Sequence, residues 1–581
     1  MVHAFIDFAA VDCGSPRLRA FFAAPKEILQ ARSLTEVRPV MQAVHERSLA
    51  GKWCVGFVRY EAAPAWDSAL QTHSGTQPLV WFGIHDAPLA LAPHDLGVSP
   101  TAQATWEQGL PYAEFTQAVG NLQSAIADGA IYQANFTAQL GGTLQGSAWS
   151  FFQQLQHSQP QGFAAFIDTG DEEVLSVSPE LFFDWHQGRL LCRPMKGTAL
   201  RGSTAQSDAA QAQALQNSPK ERAENVMIVD LIRNDLSKVA VSHSVQVDAL
   251  CRLQALPTVW QMVSDVSAQT RVDMGLDDVF AALFPCGSVT GAPKVKAMSL
   301  IRDLERSERG VYCGAVGVLR PGGSATFNVP IRTVTAQGHA LQLGTGSAIT
   351  ADATPSAEWR EWQHKRAFAL RASQPFELLE TLRLDQGQWQ HKLAHVARLQ
   401  ASAQHFGFAF CANTLEQHLS ALQAQHPQAV YRVRVLLNAS GHIDVQAHAM
   451  PATPAQVNLR LADQAHAMAF SEFTRYKTTR REHYDAFSPT DPEVFDTVLW
   501  NCDGEITECT RGNVAALLDG QWVTPPLHCG LLAGVGRAHW LAQGRITERV
   551  IHLNDVPRVQ AWGFINSLRG WIDAELLSAN A

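Results

Sequence analysis

No two cysteines of this 581-residue chain are spaced as Cys-x-x-Cys, and its ten cysteines are scattered from Cys13 to Cys529. That excludes a zinc ribbon and a disulfide scaffold and leaves reduced thiols as the expectation. No apolar run approaches the roughly 18 residues of a membrane helix. The opening Met1-Val-His-Ala-Phe-Ile-Asp7 lacks a basic stretch followed by an apolar one, so no secretory signal is expected. An excess of positive charge is also missing: 45 Lys and Arg stand against 54 Asp and Glu, a net charge of −9. That balance argues against nucleic acid or an anionic membrane as partner, but local Lys and Arg can still hold an acidic small molecule. There is no fixed-period repeat, and the only biased tracts are Ala/Gln-rich patches such as 205–216, which read as exposed helix. A cytoplasmic, soluble protein is the expectation.

What is present is enough apolar material, 46% of residues, to bury sizeable cores. At roughly 150 residues per unit the length suggests about four units, although large sheets can merge two into one. One boundary stands out. Residues 358–373 form a charged, helix-forming stretch without Gly or Pro, ended by Gln374-Pro375. A strand-like Phe376-Glu-Leu-Leu-Glu-Thr-Leu-Arg-Leu384 and a turn follow, which places a junction near 374 and domains at 1–373 and 374–581. Before it, strand patterns at 173–178, 181–185 and 189–193 accompany helical patterns at 112–129, 207–217, 221–234 and 294–305. Such a mixture predicts a large α+β or α/β domain with antiparallel sheets. After it, a helix is expected at 395–406, followed by further strands.

Two carboxylate pairs share one spacing, Glu221-Arg-Ala-Glu224 and Glu358-Trp-Arg-Glu361. Residues three apart share a helix face, so two such faces could cradle Mg²⁺, a hard cation that takes oxygen ligands; taken alone, each pair could equally lie on a solvated face. Gly344-Thr-Gly-Ser-Ala-Ile-Thr350 could offer backbone N–H groups to an anion or form a tight turn. Lys196 could be a surface lysine in a turn.

Five segments in order make the pattern specific: Ser178-Pro-Glu-Leu-Phe-Phe183, Pro194-Met-Lys-Gly-Thr198, Glu224-Asn-Val-Met-Ile-Val-Asp-Leu-Ile-Arg-Asn-Asp235, Phe284-Pro-Cys-Gly-Ser-Val-Thr-Gly-Ala-Pro-Lys294 and Arg309-Gly-Val-Tyr-Cys-Gly-Ala-Val-Gly317. Together they resemble the chorismate-utilising enzymes, namely anthranilate, isochorismate and aminodeoxychorismate synthases, over roughly residues 50–370. The resemblance implies that Glu221, Glu224, Glu358 and Glu361 hold Mg²⁺ and that Glu180 protonates the departing C4 hydroxyl of chorismate. Tyr312, Arg332, Lys365 and the backbone near Gly346 would hold substrate carboxylates, with Gln133 and Ser288 as further substrate contacts. Lys196 resembles the nucleophile that distinguishes aminodeoxychorismate synthases, where the other members typically carry Ala. Gln133 stands where isochorismate synthases have a lysine base, which disfavours isochorismate formation. Gln261 replaces a frequent His, and Ala348 the second Gly of the carboxylate-binding segment. No Gly-x-Cys-x-Gly elbow with downstream His and Glu is present, so ammonia is expected from solution or a separate glutamine amidotransferase subunit.

In the second part, His395-Val-Ala-Arg-Leu399, Lys477-Thr-Thr-Arg480, Trp500-Asn-Cys-Asp-Gly-Glu-Ile-Thr-Glu508, Thr510-Arg-Gly-Asn513 and Gly530-Leu-Leu-Ala-Gly534 occur in order. They resemble the fold-type IV pyridoxal-phosphate enzymes over about 376–575, a group holding branched-chain and D-amino-acid aminotransferases and aminodeoxychorismate lyase. By that resemblance Lys477 forms the Schiff base with the cofactor and Glu508 pairs with its pyridine nitrogen. Arg398 and the backbone of Gly534 to Gly536 would hold the phosphate, with Asn513 also lining the cofactor. Gly536 stands where the family often has Thr, and the strands that normally open the domain are absent. Fold alone does not separate transaminase from lyase. The fusion favours the lyase, because the product expected of the first half is the lyase's substrate. The implied products are 4-aminobenzoate, a folate precursor, and pyruvate. A D- or branched-chain transaminase, an anthranilate-forming first half, or one non-catalytic half docking a partner are the rivals; a homodimer through the second domain is left open.

Overall fold

The computed structural model describes residues 2–12, 16–90, 102–159, 162–200, 205–255 and 259–577; Cys13 lies outside them. The chain divides into two compact units, Met1–Gln374 and Pro375–Ala581. Two, not four, is the count because the first unit's two large sheets share a core.

One sheet of that unit runs, in spatial order, Gly291–Ala292, Gln133–Gln145, Ala340–Ile349, Thr333–Gln337, Glu173–Ser178, Phe163–Asp168, Ala4–Phe8, Leu18–Phe22. The other is centred on Val259–Gln269, Arg189–Arg193, Leu181–His186, Ala325–Asn328, Ala315–Leu319 and Trp53–Val58. All of their pairings are antiparallel. Ile6, Phe8 and Ile167 of the first sheet meet Val55, Phe57, Val316 and Val318 of the second. The outer face of the first packs on helices Ala148–Ser158 and Pro355–Ser373 through Phe151, Phe152, Phe368 and Ala372. The outer face of the second packs on helices Leu34–Leu49 and Pro219–Ser237 through Val37, Met41, Ile228 and Ile232. Covered on both faces, strands such as Ala315–Leu319 and Trp53–Val58 read as continuous apolar runs instead of alternating ones. Each large side chain buried there contributes about 1.5–3 kcal/mol.

Several element bounds differ from the sequence reading. The 358–373 helix begins at Pro355, where Pro occupies the first turn and Thr354 caps it, because a first-turn Pro loses no hydrogen bond. The Gly344–Thr350 segment is neither loop nor turn but the end of a ten-residue strand, Ala340–Ile349, paired with Gln133–Gln145 throughout. Its glycines mark close approach: a Cβ on Gly344 would fall 2.3 Å from the Tyr312 ring.

In the second unit a four-stranded sheet (Gln388–Gln390, Leu378–Asp385, Val430–Leu437, Ile443–Ala449) packs on helices Lys392–Phe406 and Ala412–Gln425. The first of these starts three residues before the expected His395, after His391 in the left-handed region. An eight-stranded mixed sheet carries Ile506–Cys509, Asp496–Trp500 and Asn513–Leu518 around a second core.

Candidate active sites

In the first unit, Glu180 sits between strands Glu173–Ser178 and Leu181–His186, its backbone held by Ser178 Oγ (3.2 Å) and by the Val329 N–H (3.1 Å). It is buried, and burial pushes its carboxyl up to about 7, against the opposing pull of Ser288 and of Lys196 and Lys365. One of its oxygens, Oε1, has no partner. Ser288 therefore belongs to the surroundings of this carboxyl.

Lys196 lies on strand Met195–Leu200, not in a turn, where the pairing with Val259–Gln269 slips between Met195 and Thr198. Gly197, at φ +90°, supplies the kink; a Cβ there would stand 3.0 Å from Glu221 Oε2. Gln261 braces the kink, donating to Gly197 O (2.8 Å) and accepting from Thr198 Oγ1 (2.9 Å). The departure at Gln261 is thus a support for the Lys196 backbone. The charge of Lys196 acts on the carboxyls of Glu180, Glu221 and Glu361.

The two carboxylate pairs occupy the first two turns of their helices, Pro219–Ser237 and Pro355–Ser373. Burial and the neighbouring Glu224 raise the Glu221 carboxyl, to which Glu361 adds; burial and Glu361 raise that of Glu358. For Glu361 burial acts in the same sense, but Lys365 at 2.6 Å outweighs it and holds the carboxyl below its ordinary value. Glu224 faces Lys220 at 4.0 Å. Among the described residues no three His, Cys, Asp or Glu side chains close into a ligand group, so the expected quartet is gathered but not drawn together. The donor set nonetheless fits Mg²⁺: all ligands are hard oxygens, the charge of Glu361 acts on both Glu221 and Glu358 and that of Glu224 on Glu221, and Glu358 Oε2 is buried without a partner.

Gly346 presents its backbone outward. Thr137, its cross-strand neighbour, turns its N–H to Glu305 Oε1 (2.8 Å), so the Thr137–Gly346 pair is a non-hydrogen-bonded one. The Gly346 N–H and C=O then both point to the other edge, where pairing with Thr333–Gln337 has already stopped at Leu343. Lys365 takes that carbonyl at 2.8 Å. Tyr312 lies buried against Gly344, and Gln133 Oε1 is buried without a partner at the start of the adjacent strand. Arg332 is half-buried with φ +50°, donates to Gln159 Oε1, and is lowered to about 10 by burial and by Arg371.

In the second unit, the loop carrying Lys477 is stitched to the small sheet: Leu379 N donates to Lys477 O (3.0 Å) and Thr479 N to Glu377 O (2.9 Å). Burial, aided by Arg398 and Arg481, lowers the Lys477 amine to about 8. Burial raises Glu508 to about 7, while Tyr484 Oη (2.7 Å) and Leu532 N–H (3.1 Å) donate to its two oxygens. Arg398 is gripped by Glu380 through two bonds of 2.7 Å and reaches Ala533 O at 3.0 Å, beside the start of helix Val535–Ala542. Glu380 is itself held by His395 Nδ1 (2.6 Å), whose Nε2 meets Ser567 Oγ at 2.9 Å. Despite burial, Arg398 and His395 hold the Glu380 carboxyl down at about 2. Asn513 donates to Leu532 O at 3.0 Å. A guanidinium, a helix N-terminus, a buried amine and a buried carboxylate thus meet the needs of a phosphorylated aromatic aldehyde.

Tyr484, Glu380 and Ser567 were not read from the sequence. Only Glu380 left a signal there, a lone carboxylate in the apolar Leu378-Leu-Glu-Thr-Leu382 strand that burial obliges to find a partner. At Gly534 a Cβ would fall 1.8 Å from Asn513 Oδ1. Gly534→Ala must displace Asn513 and its bond to Leu532, so pyridoxal-phosphate affinity, titrated by absorbance, should weaken about tenfold, the equivalent of one hydrogen bond.

Residues 92–371 match the chorismate binding enzyme family, and residues 377–576 match amino-transferase class IV. Aminodeoxychorismate synthase component 1 of Klebsiella aerogenes is 39% identical over 284 residues, which is 49% of this chain and 61% of that protein. Anthranilate synthase component 1 of Aquifex aeolicus is 33% identical over 46% of this chain and 54% of its own length. The chain thus spans little more than half of the curated relatives it matches. The crystal structure of anthranilate synthase component I from Streptococcus pneumoniae superposes with a TM-score of 0.52 at 22% identity, covering 64% of this chain and 90% of that one. It shares the first unit's fold.

Proposed function

From a chain that joins a chorismate-binding-enzyme domain to a class IV aminotransferase domain, we propose a bifunctional enzyme that converts chorismate to 4-aminobenzoate. The first unit aminates chorismate at C4 and the second expels pyruvate from the product. The observation that carries this reading is the buried Glu180, whose carboxyl is raised by burial and pulled down by Ser288 and by the charges of Lys196 and Lys365, Lys196 acting also on Glu221. A nucleophile and a proton donor are thereby supplied to the same ring.

In the first unit Lys196 adds to C2 of chorismate as both ring double bonds shift toward C4 and the C4 hydroxyl departs with the proton of Glu180. Ammonia then adds at C4, both double bonds return and Lys196 leaves. Mg²⁺, held by Glu221, Glu224, Glu358 and Glu361, would supply positive charge to the substrate's ring carboxylate. The Gly346 N–H and Lys365 orient the carboxylate end, with Tyr312, Gln133 and Ser288 walling the ring. The relatives' designation as component 1 supports ammonia delivery by a separate amidotransferase subunit.

In the second unit pyridoxal phosphate, held by Lys477, Arg398 and the Gly534–Gly536 backbone, would supply an electron-accepting ring. Lys477 accepts the C4 hydrogen of the aminated ring as a proton, and the enolpyruvyl group leaves as the ring becomes aromatic. Glu508, oriented by Tyr484, holds the proton of the pyridine nitrogen. Among the described residues no helix is long and apolar enough to cross a membrane.

Purified protein with chorismate, Mg²⁺, pyridoxal phosphate and an ammonium salt should yield 4-aminobenzoate and pyruvate together on chromatography. Accumulated aminodeoxychorismate would deny the lyase, and transamination of a D- or branched-chain amino acid would replace it with a transaminase. Anthranilate alone would overturn the role of Lys196.

A further inference from the structure

Behind the first site lies a buried ion pair that the chemistry above does not use. Arg309 and Glu305 are 3% and 8% exposed. Arg309 Nε and Nη2 grip both Glu305 oxygens at 2.9 and 2.7 Å. The remaining donors do not serve the pair: Nη1 bonds Val289 O (2.7 Å) and Nη2 bonds Asn135 O (2.7 Å). Glu305 Oε1 in turn accepts the Thr137 N–H (2.8 Å) and hydroxyl (2.9 Å). Glu61 holds the other side, accepting the N–H groups of Arg309 (2.8 Å) and Gly310 (3.1 Å). The Tyr60 ring lies 4.6 Å beneath the guanidinium.

The ends of these bonds are informative. Val289 follows Ser288, Asn135 is two residues beyond Gln133, Gly310 is two before Tyr312, and Thr137 is the cross-strand neighbour of Gly346. Two segments distant in the chain, 133–137 and 288–289, are bonded directly to one planar cation and its carboxylate. Arg309's own segment carries Tyr312 and is held by Glu61, and the Gly346 strand follows through its pairing with Gln133–Gln145.

We infer that the Glu305–Arg309 pair is the positioning device of the chorismate site, setting the Gln133, Ser288, Tyr312 and Gly346 segments at a common distance from the substrate. The inference rests on the chorismate reading of the first unit. Stability alone does not require such a pair, since apolar residues of similar volume often replace a buried ion pair at no loss. Only Arg can span two carbonyls and a carboxylate at once; Lys is a point charge.

Two variants of the full chain test it, Arg309→Lys and the double variant Glu305→Met with Arg309→Met. Chorismate consumption, the melting temperature and pyruvate release from supplied aminodeoxychorismate are measured on each. Both variants should consume chorismate about 100-fold more slowly, the cost of a misplaced reacting geometry, with kcat carrying more of the loss than KM. Pyruvate release should stay within about twofold, and Arg309→Lys should lose less melting temperature than the double variant, which orphans Val289 O, Asn135 O and the Thr137 N–H. Chorismate consumption within about threefold of wild type in Arg309→Lys overturns the inference, as does pyruvate release that falls as far as chorismate consumption. If wild type turns chorismate into a product other than the C4 amine, the proposed function fails, while the variants still judge the pair through consumption.

Discussion

Lys477→Ala is expected to release no pyruvate and to accumulate aminodeoxychorismate from chorismate, with the first unit still turning over. The loss in pyruvate release should be at least about 1,000-fold, the scale for removing a residue that both bonds the cofactor and moves the proton. The amine is buried and held down at about 8 by that burial and by Arg398 and Arg481. At neutral pH a larger share is therefore unprotonated than for a surface lysine, and only that share can condense with an aldehyde. The rate of pyridoxal-phosphate capture should accordingly rise as pH increases through about 8 and then level off. Borohydride reduction followed by mass analysis should place the adduct on Lys477 in wild type and nowhere in the variant. Pyruvate release persisting in Lys477→Ala would remove both assigned roles.

Lys196→Ala should abolish amination at C4, again by about 1,000-fold or more, as expected for loss of a covalent nucleophile. Unchanged turnover would sink the assignment. The companion variant Glu180→Gln separates the acid from the nucleophile. Burial raises the Glu180 carboxyl to about 7, so it carries its proton below that pH and has lost it above. A proton donor acts only when protonated, so kcat/KM for chorismate should fall as pH rises through about 7. Glu180→Gln should be slow at every pH and lack that limb; a variant that keeps the limb assigns it to another group. The pull of Lys196 on Glu180 also predicts that Lys196→Ala shifts any residual limb upward.

Much of the candidate chemistry was legible in residue order. Lys196, Glu180, the two Glu-x-x-Glu pairs, Lys477 and Glu508 were singled out by ordered motifs that resemble two enzyme families, since each of them taken alone reads as an ordinary side chain. Helix existence was legible because periodicity and Pro or Gly punctuation act over a few residues. Other features depend on partners far along the chain. The Gly344–Thr350 segment reads locally as a turn, yet its pairing with Gln133–Gln145, about 200 residues away, makes it a strand whose free edge faces outward. Gln261 looked like a defect until its bonds to Gly197 and Thr198 appeared.

By itself the sequence determined which chemical groups exist and where local punctuation favours a helix or its end. The tertiary structure decided what those groups meet. It set Lys365, not a second carboxylate, against Glu361, and placed Glu380, His395 and Ser567 in line behind Arg398. It also joined the 133–137 and 288–289 segments on Arg309 and Glu305. The physical reason is range. Propensity and periodicity act between near neighbours, whereas a hydrogen bond or buried charge is settled within about 3 Å of space, between residues whose separation along the chain carries no local signal.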